Sequence, residues 1–217
     1  MTLVEACCNS VQTAVAAARF GAGRIELCGD GDGGTTPSWG VMAACRDALG
    51  LPIHVMIRPH TRGFVYDEAD VDVMLRDIGT AASLGMDGVV LGPLHSDRSV
   101  NVAQLQLFVS AAGSLRLTFH RAFDATPNAE RALDALMDAG VQLVLTSGHA
   151  RTAVAGAAVL RRHHEQAAGR IVILAGGGIR ANNVRQVLRE SSVNEIHARA
   201  VEPEIIRDLV QALEVDV

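Results

Sequence analysis

Eight short apolar segments alternate with eight longer amphipathic segments along the 217 residues of the chain. The short segments are predicted strands: Leu3–Cys7, Arg24–Cys28, Ile53–Arg58, Gly88–Gly92, Arg116–His120, Leu143–Thr146, Ile171–Ala175 and Glu195–His197. The longer segments are predicted helices: Ser10–Phe20, Ser38–Leu49, Asp67–Leu84, Val102–Ala112, Pro127–Ala139, Thr152–Ala167, Asn182–Ser191 and Pro203–Leu213. Strands separated by helices pair in parallel through right-handed crossovers. The alternation therefore predicts a single α/β domain over residues 1–217, a closed (β/α)8 TIM barrel. A doubly wound open sheet is the alternative, but eight regular units without a long insertion favour closure.

Charge and hydropathy exclude several classes of partner. The formal net charge is −5, and no basic tract is present that would favour nucleic acid binding. The apolar runs are much shorter than the roughly 18 residues expected of a membrane span. The first residues lack the basic region of a signal peptide, so we expect a cytoplasmic protein. A homodimer is compatible with these features.

The basic residues and the cysteines restrict the chemistry further. All 19 basic residues are arginine, so a Schiff-base lysine or a pyridoxal-phosphate enzyme is excluded. The four cysteines, at positions 7, 8, 28 and 45, form no CxxC pair. In a reducing cytosol we expect them to be thiols rather than disulfides.

Alternation along the strands predicts a polar barrel interior. Helices cover the outside of such a barrel, so apolar strand residues face outward and the residues between them face inward. The polar and thiol side chains predicted to face inward are Glu5, Cys7, Glu26, Cys28, Arg58, Thr118, His120, Thr146, Glu195 and His197. One interpretation is a structural ion-pair network around Arg58. Barrel cores are usually filled with Val, Ile and Leu, however, so this much polarity favours a site at the mouth of the barrel.

A Glu-x-Cys pattern occurs on both of the first two predicted strands, as Glu5 to Cys7 and Glu26 to Cys28. Neighbouring strands lie about 4.8 Å apart, so cysteines at matching inward positions would bring their sulfurs close together. Two thiolates suit a soft ion such as Cu(I). The alternative is a pair of small, buried and inert cysteines, which is a common use of this residue.

A glycine turn, Gly176 to Gly178, follows the seventh predicted strand and precedes a helix. Its backbone N–H groups and the helix N-terminus are typical of a phosphate or carboxylate site in barrels. We expect Arg199 and the Thr146–Ser147 pair, after neighbouring strands, to contribute to this anion site. Alternatively, the glycines only permit a tight turn. His163 and His164, in the middle of a helix, are predicted to be solvated.

Several of these segments together resemble the CutC family of copper homeostasis proteins. They are Val4–Cys7, Arg24–Cys28, Gly33–Ser38, Met56–Pro59, Thr118–Asp124, Leu145–Gly148 and Gly176–Ile179, in the same order across nearly the whole chain. The run from Thr118 to Asp124 is the most specific. The resemblance implies a barrel of the kind predicted above, Cu(I) as a ligand, and Cys7 and Cys28 as the copper-binding cysteines.

The chain departs from the family pattern at the predicted mouth. The turn after Arg58-Pro59 reads His60-Thr61-Arg62-Gly63-Phe64 and lacks the usual Asp. Arg199 stands where a Ser is usual, and a family segment after it is missing. These changes concern the ligand more than the fold.

Two functions are open at this point. The first is copper binding or trafficking through Cys7 and Cys28. The second is a metal-independent enzyme acting on a small anionic substrate, with phosphorylated compounds among the candidates. In the second, Glu26 or Glu5 would act as base and His120 as acid beside His197, with Arg58 and the glycine turn holding the anion.

Overall fold

The computed structural model describes residues 2–31, 33–200 and 202–214, and these form a closed barrel of eight parallel strands in chain order. The strands are β1 (Leu3–Cys8), β2 (Arg24–Leu27), β3 (Ile53–Met56), β4 (Gly88–Leu91), β5 (Arg116–Phe119), β6 (Leu143–Thr146), β7 (Val172–Ala175) and β8 (Glu195–Arg199). β1 pairs with both β2 and β8, which closes the sheet. The predicted (β/α)8 TIM barrel is therefore confirmed, and the open-sheet alternative is wrong. The predicted domain, 1–217, also includes Met1, Asp32, Val201 and residues 215–217, which lie outside the described residues.

Eight α-helices surround the barrel. They are α1 (Val11–Arg19), α2 (Trp39–Ala48), α3 (Glu68–Ser83), α4 (Val102–Ala112), α5 (Ala129–Asp138), α6 (Ala157–Ala167), α7 (Val184–Ser191) and α8 (Glu204–Glu214). Within the described ranges, none of the helices combines the length and the apolar character needed to cross a membrane.

Some helices begin later than predicted because polar side chains and glycines end the preceding turns. Asn128 caps α5 by accepting a hydrogen bond from the N–H of Arg131, so the helix begins at Ala129 and not at Pro127. α6 begins at Ala157, five residues after the predicted start, because Gly156 packs its backbone against Ser147. A Cβ at position 156 would overlap the Ser147 carbonyl oxygen. A 3-10 helix over Arg121–Ala125, between β5 and α5, was not predicted.

The barrel interior and the layer between barrel and helices are separate in composition. The apolar strand residues predicted to face outward, such as Val4, Ile25 and Phe119, belong to the large core that the helices cover. Inside the barrel, Cys28, Met56 and Val90 form a small apolar cluster against Cys7. The remaining interior space near the strand ends is polar, as the alternation predicted.

Candidate functional site

A cavity of about 520 Å³ opens at the C-terminal ends of the strands. This volume is typical of sites for small molecules. The loops after β2 and β3 contribute lining residues such as Gly34 and Phe64, whereas the loop after β4, residues 93–101, contributes none. Among the predicted site residues, seven side chains and two glycines line the cavity: Cys7, Glu26, Cys28, Arg58, His120, His197, Arg199, Gly177 and Gly178.

Two thiols lie at the β1–β2 side of the cavity. The Sγ atoms of Cys7 and Cys28 are 3.6 Å apart, and Cys28 Sγ lies 3.5 Å from Glu26 Oε2. The strand register pairs Cys7 with Glu26, so the two cysteines do not lie at matching positions. This differs from the matching positions that the sequence predicts. Their sulfurs nevertheless meet because the strands of a barrel are staggered relative to one another.

An imidazole joins the thiols to a buried ion-pair network. His197 Nδ1 lies 2.8 Å from Glu5 Oε1, and His197 Nε2 lies 3.7 Å from Glu26 Oε2. Glu5 is fully buried and uses its other oxygen to accept a hydrogen bond from Arg24 Nε at 2.5 Å. Arg24 also bonds Glu195 at 2.7 Å. Glu5 therefore lies beneath the cavity and holds His197 in place rather than lining the cavity itself.

The same contacts shift the pKa values of these groups. Burial raises the pKa of Glu5, but the hydrogen bond from His197 and the charge of Arg24 outweigh it and lower the value to about 2. The hydrogen bond from the Cys28 thiol, together with His197, holds the pKa of Cys7 well below its ordinary value. Burial raises the pKa of Glu26 well above the usual range of a carboxyl. Burial opposes charge on His197, yet Glu26, Cys7 and Glu5 raise its pKa.

Arg58 and His120 lie on another side of the cavity, beside the ring of Phe64. The Arg58 guanidinium carbon is 5.0 Å from the centre of that ring, and the His120 ring centre is 4.9 Å from it. Arg58 Nη1 donates a hydrogen bond to the carbonyl of Gly34. A second arginine inside the barrel, Arg24, pairs the buried carboxylate of Glu5 and the partly buried carboxylate of Glu195.

The glycine turn after β7 lies at the cavity, but a protein side chain ties part of it. Asn183 accepts a hydrogen bond from the N–H of Arg180 and donates one to the carbonyl of Gly178. For this reason α7 begins at Val184 rather than at Asn182. The N–H groups of Gly177 and Gly178 make no hydrogen bond within the part of the chain that the structure describes. Gly176 bonds the carbonyl of Thr146 through its N–H and does not line the cavity.

Thr146 does not face the cavity, which corrects the sequence prediction. Leu145 lines the cavity, and Thr146, on the other side of β6, bonds Asp124 on the 3-10 helix at 2.5 Å. Ser147 also donates to Asp124 through both its N–H and its hydroxyl. Thr146 and Ser147 thus shape the turn after β6 and do not line the cavity, although Ser147 lies beside Gly177 and accepts a hydrogen bond from the cavity residue Arg121.

Sequence reasoning missed several functional positions. Arg24 and His54 both point into the barrel, where His54 Nδ1 lies 3.3 Å from the Thr118 hydroxyl. Both residues occupy inward-facing positions in the alternation along their strands, so the sequence pattern predicts that they point into the barrel. Asp124 accepts hydrogen bonds from the turn after β6. No sequence pattern predicts this role, apart from its place in the motif that resembles the family.

The donor set at the thiol side suits a metal ion. One ligand atom from each of Cys7, Glu26 and His197 lies within 4.8 Å of the others, and Cys28 adds a second sulfur 3.6 Å from the first. Sulfur and imidazole ligands select soft or borderline ions rather than Mg²⁺ or Ca²⁺. Glu5 holds the far nitrogen of His197, which is the usual outer partner of a ligating histidine.

Structures of unrelated sequence share the barrel. The chain aligns with a phosphoribosylanthranilate isomerase from Thermotoga maritima at a TM-score of 0.67 and 12% identity, over 99% of this chain and 100% of that one. A protein described as an aldolase, QR15, aligns at a TM-score of 0.73 and 14% identity, over 98% of this chain and 96% of that one. At these identities the likeness concerns the fold alone.

Closer relatives share sequence as well as fold. CutC family proteins from Chromobacterium violaceum and Salmonella newport are each 42% identical to the chain, over 91% and 92% of it and over 81% and 80% of their own lengths. The crystal structure of CutC from Streptococcus agalactiae, a protein named for copper homeostasis, aligns at a TM-score of 0.87 and 31% identity, over 91% of this chain and 98% of that one. The CutC family model matches residues 2–202. The chain therefore belongs to the CutC family.

Proposed function

We propose that the protein binds Cu(I) between the thiolates of Cys7 and Cys28 and takes part in copper handling in the cytoplasm. The observation that carries this proposal is the 3.6 Å separation of the two sulfur atoms at a cavity open to small ligands. Two sulfurs bound at ~2.3 Å to one ion with tetrahedral angles lie ~3.8 Å apart. The pair therefore needs little movement to share an ion.

The surroundings of the thiols support the same proposal. Cys7 is partly exposed at the cavity, so an ion has a path to it. His197 offers a third, nitrogen ligand on the same side. In a reducing compartment such as the cytoplasm, we expect Cys7 and Cys28 to be thiols that are available to an ion. Copper is not needed to hold these residues in place, because they already pack against and hydrogen-bond to one another.

Competition with a chelator tests the copper site. Cu(I) is added anaerobically to the protein in the presence of bicinchoninate, and its transfer is followed by absorbance. We expect one tightly bound ion per chain and at least a tenfold loss of affinity in the Cys7→Ser/Cys28→Ser variant. Cys45→Ala is the matched control, because Cys45 lies on the buried face of α2 and does not line the cavity. Equal affinity of the double variant and the wild-type protein would remove these cysteines as the site.

A second candidate function is metal-independent acid–base chemistry on a small anion. Its support is the N–H groups of Gly177 and Gly178, which have no hydrogen-bond partner among the described residues and line the same cavity as Arg199. In this function Glu26 is the better base, because one of its carboxylate oxygens is buried and makes no hydrogen bond to any residue that the structure describes, whereas Glu5 is held on both oxygens. A crystal soaked in inorganic phosphate tests the turn. Phosphate bound at its N–H groups supports the candidate, and water alone there argues against it.

A further inference from the structure

We infer that the side of the cavity formed by Arg58, Phe64 and His120 is a binding subsite for the carboxylate group of a small organic acid. One oxygen of the carboxylate accepts a hydrogen bond from His120 Nε2–H, beside the positive charge of Arg58. The inference names a substrate class for the second candidate function, and it does not depend on copper binding by the thiols.

The hydrogen bonding of His120 fixes which of its nitrogens carries the proton. The N–H of Ala122, two residues later, donates to His120 Nδ1 at 3.2 Å. A ring nitrogen that accepts a hydrogen bond has no hydrogen of its own, so the neutral ring carries its proton on Nε2. His120 is thereby held as a hydrogen-bond donor at Nε2.

That donor has no partner among the described residues of the protein. His120 is 4% exposed, and its Nε2 makes no hydrogen bond among the residues that the structure describes. Buried polar groups in folded proteins are nearly always hydrogen-bonded, and exceptions are frequent at functional sites. Because His120 lines the cavity, a group bound there is the natural partner.

The partner of a fixed N–H donor is an acceptor, and the local charge favours a negative one. Burial, together with the positive charge of Arg58, lowers the pKa of His120 to about 3, so the ring stays neutral at physiological pH. The charge of Arg58 therefore reaches His120. A ligand that carries only hydrogen-bond donors or a positive charge is disfavoured here, because it would face the N–H donor of His120 and the cation of Arg58.

The position of Phe64 limits the shape of the ligand. Its ring is about equally far from the Arg58 guanidinium and the His120 ring, at 5.0 Å and 4.9 Å. The two polar groups thus lie beside one flat apolar surface. A planar carboxylate with a short carbon chain matches such a surface, with its oxygens toward the polar groups and its carbon atoms against the ring.

The subsite is distinct from the two-thiol site and from the glycine turn. Cys7 lies near the end of β1, Cys28 follows β2 and Gly177 follows β7, whereas His120 follows β5. Neither Arg58 nor His120 has a described contact with either cysteine. Loss of copper binding and loss of carboxylate binding are therefore separable by mutation.

Titration with defined small anions tests the inference. Acetate, pyruvate and succinate are titrated into the metal-free protein at constant ionic strength, with inorganic phosphate and methylammonium as comparison probes. Calorimetry gives the affinity, and long-range 1H–15N spectra report on the His120 ring. We expect at least one carboxylate to bind, to shift the His120 Nε2 signal, and to do so more tightly than methylammonium.

Three variants connect the binding to the donor. His120→Phe removes the Nε2–H and keeps a flat ring, and we expect carboxylate affinity to fall at least tenfold. His120→Gln places an amide N–H at nearly the same reach, and we expect it to retain more affinity than the Phe variant. His95→Phe, which changes an exposed histidine of the β4–α4 loop, is the matched control and should bind as the wild-type protein does.

Several results would overturn the inference. They are unchanged affinity in His120→Phe, a His120 ring with its proton on Nδ1 in the wild-type protein, and absence of binding by every carboxylate at 50 mM, a concentration set at roughly the weak end of ligand binding. Binding of phosphate with all carboxylates inactive would also contradict it, while leaving the glycine turn as the site of the second candidate function. If His120→Phe fails to fold, the spectra of the wild-type protein decide the question alone.

Discussion

Replacing His163 by Phe should make the protein less sensitive to acid. His163 lies in the middle of α6, is 3% exposed, and packs edge-on against Phe123 and near His149. Neither of its ring nitrogens has a hydrogen-bond partner among the described residues. This position corrects the prediction that His163 is solvated. Phe has a similar flat shape and removes both buried nitrogens.

The magnitude follows from proton linkage. Burial, with His149 and Arg162 nearby, lowers the pKa of His163 to about 4 in the folded protein, whereas the unfolded chain takes up this proton near pH 6.5. The unfolded state then binds more protons than the folded state, so stability is fully present above pH 6.5 and is lost as the pH falls toward 4. The full loss is ~3.4 kcal/mol, of which ~1.8 kcal/mol falls between pH 7 and pH 5.

Urea denaturation at pH 7 and pH 5 measures this difference. The free energy of unfolding of the wild-type protein should fall by ~1.8 kcal/mol more than that of His163→Phe over this interval. Any change of packing caused by Phe is the same at both pH values and cancels in the comparison. His164→Phe, at the neighbouring and partly exposed position, is the control and should follow the wild-type protein. An equal pH dependence of wild-type protein and His163→Phe would refute the reasoning.

Two further predictions concern the barrel and its turns. Arg24→Leu leaves the buried carboxylate of Glu5 and the partly buried one of Glu195 without their cation and should lower the free energy of unfolding by about 3–5 kcal/mol at pH 7, with a smaller loss near pH 3; a loss below 1 kcal/mol at pH 7 would contradict the ion-pair assignment. Gly156→Ala places a Cβ against the carbonyl oxygen of Ser147 and should lower the melting temperature by several degrees, whereas Gly50→Ala, which has open space around it, should not. Similar melting temperatures of the two variants would show that the loop yields without cost.

Alternation predicts which residues face the barrel interior only in strands where apolar and polar residues take turns along the sequence. β1 and β2 alternate clearly, and the inward positions of Glu5 and Glu26 are confirmed by their buried contacts. β6 reads Leu-Val-Leu-Thr, so its apolar residues give no preference for either face. The face of Thr146 is decided instead by Asp124, a residue of the unpredicted 3-10 helix.

For two other residues, Arg24 and His163, the sequence does contain a pattern that predicts their buried positions. Arg24 occupies an inward position, two residues before Glu26, and long side chains at strand starts reach the barrel centre. His163 follows Leu160 by three residues and precedes Ala167 by four, which places it on the buried face of α6. The distance between the sulfur atoms of Cys7 and Cys28, by contrast, depends on the stagger of the barrel strands. The residue pattern along single strands does not predict that stagger.

The contacts of Glu5 also determine when the site is assembled in a nascent chain. Arg24 on β2 bonds Glu5 on β1 and also Glu195 on β8, which is 171 positions further along the sequence, and His197 on the same last strand bonds Glu5 as well. The ribosome makes the two thiols early, but the imidazole beside them arrives only with β8. Contacts this distant in sequence form slowly. A partly synthesised chain therefore carries both thiols without the histidine and the closed barrel, and the complete donor set exists only in the finished fold.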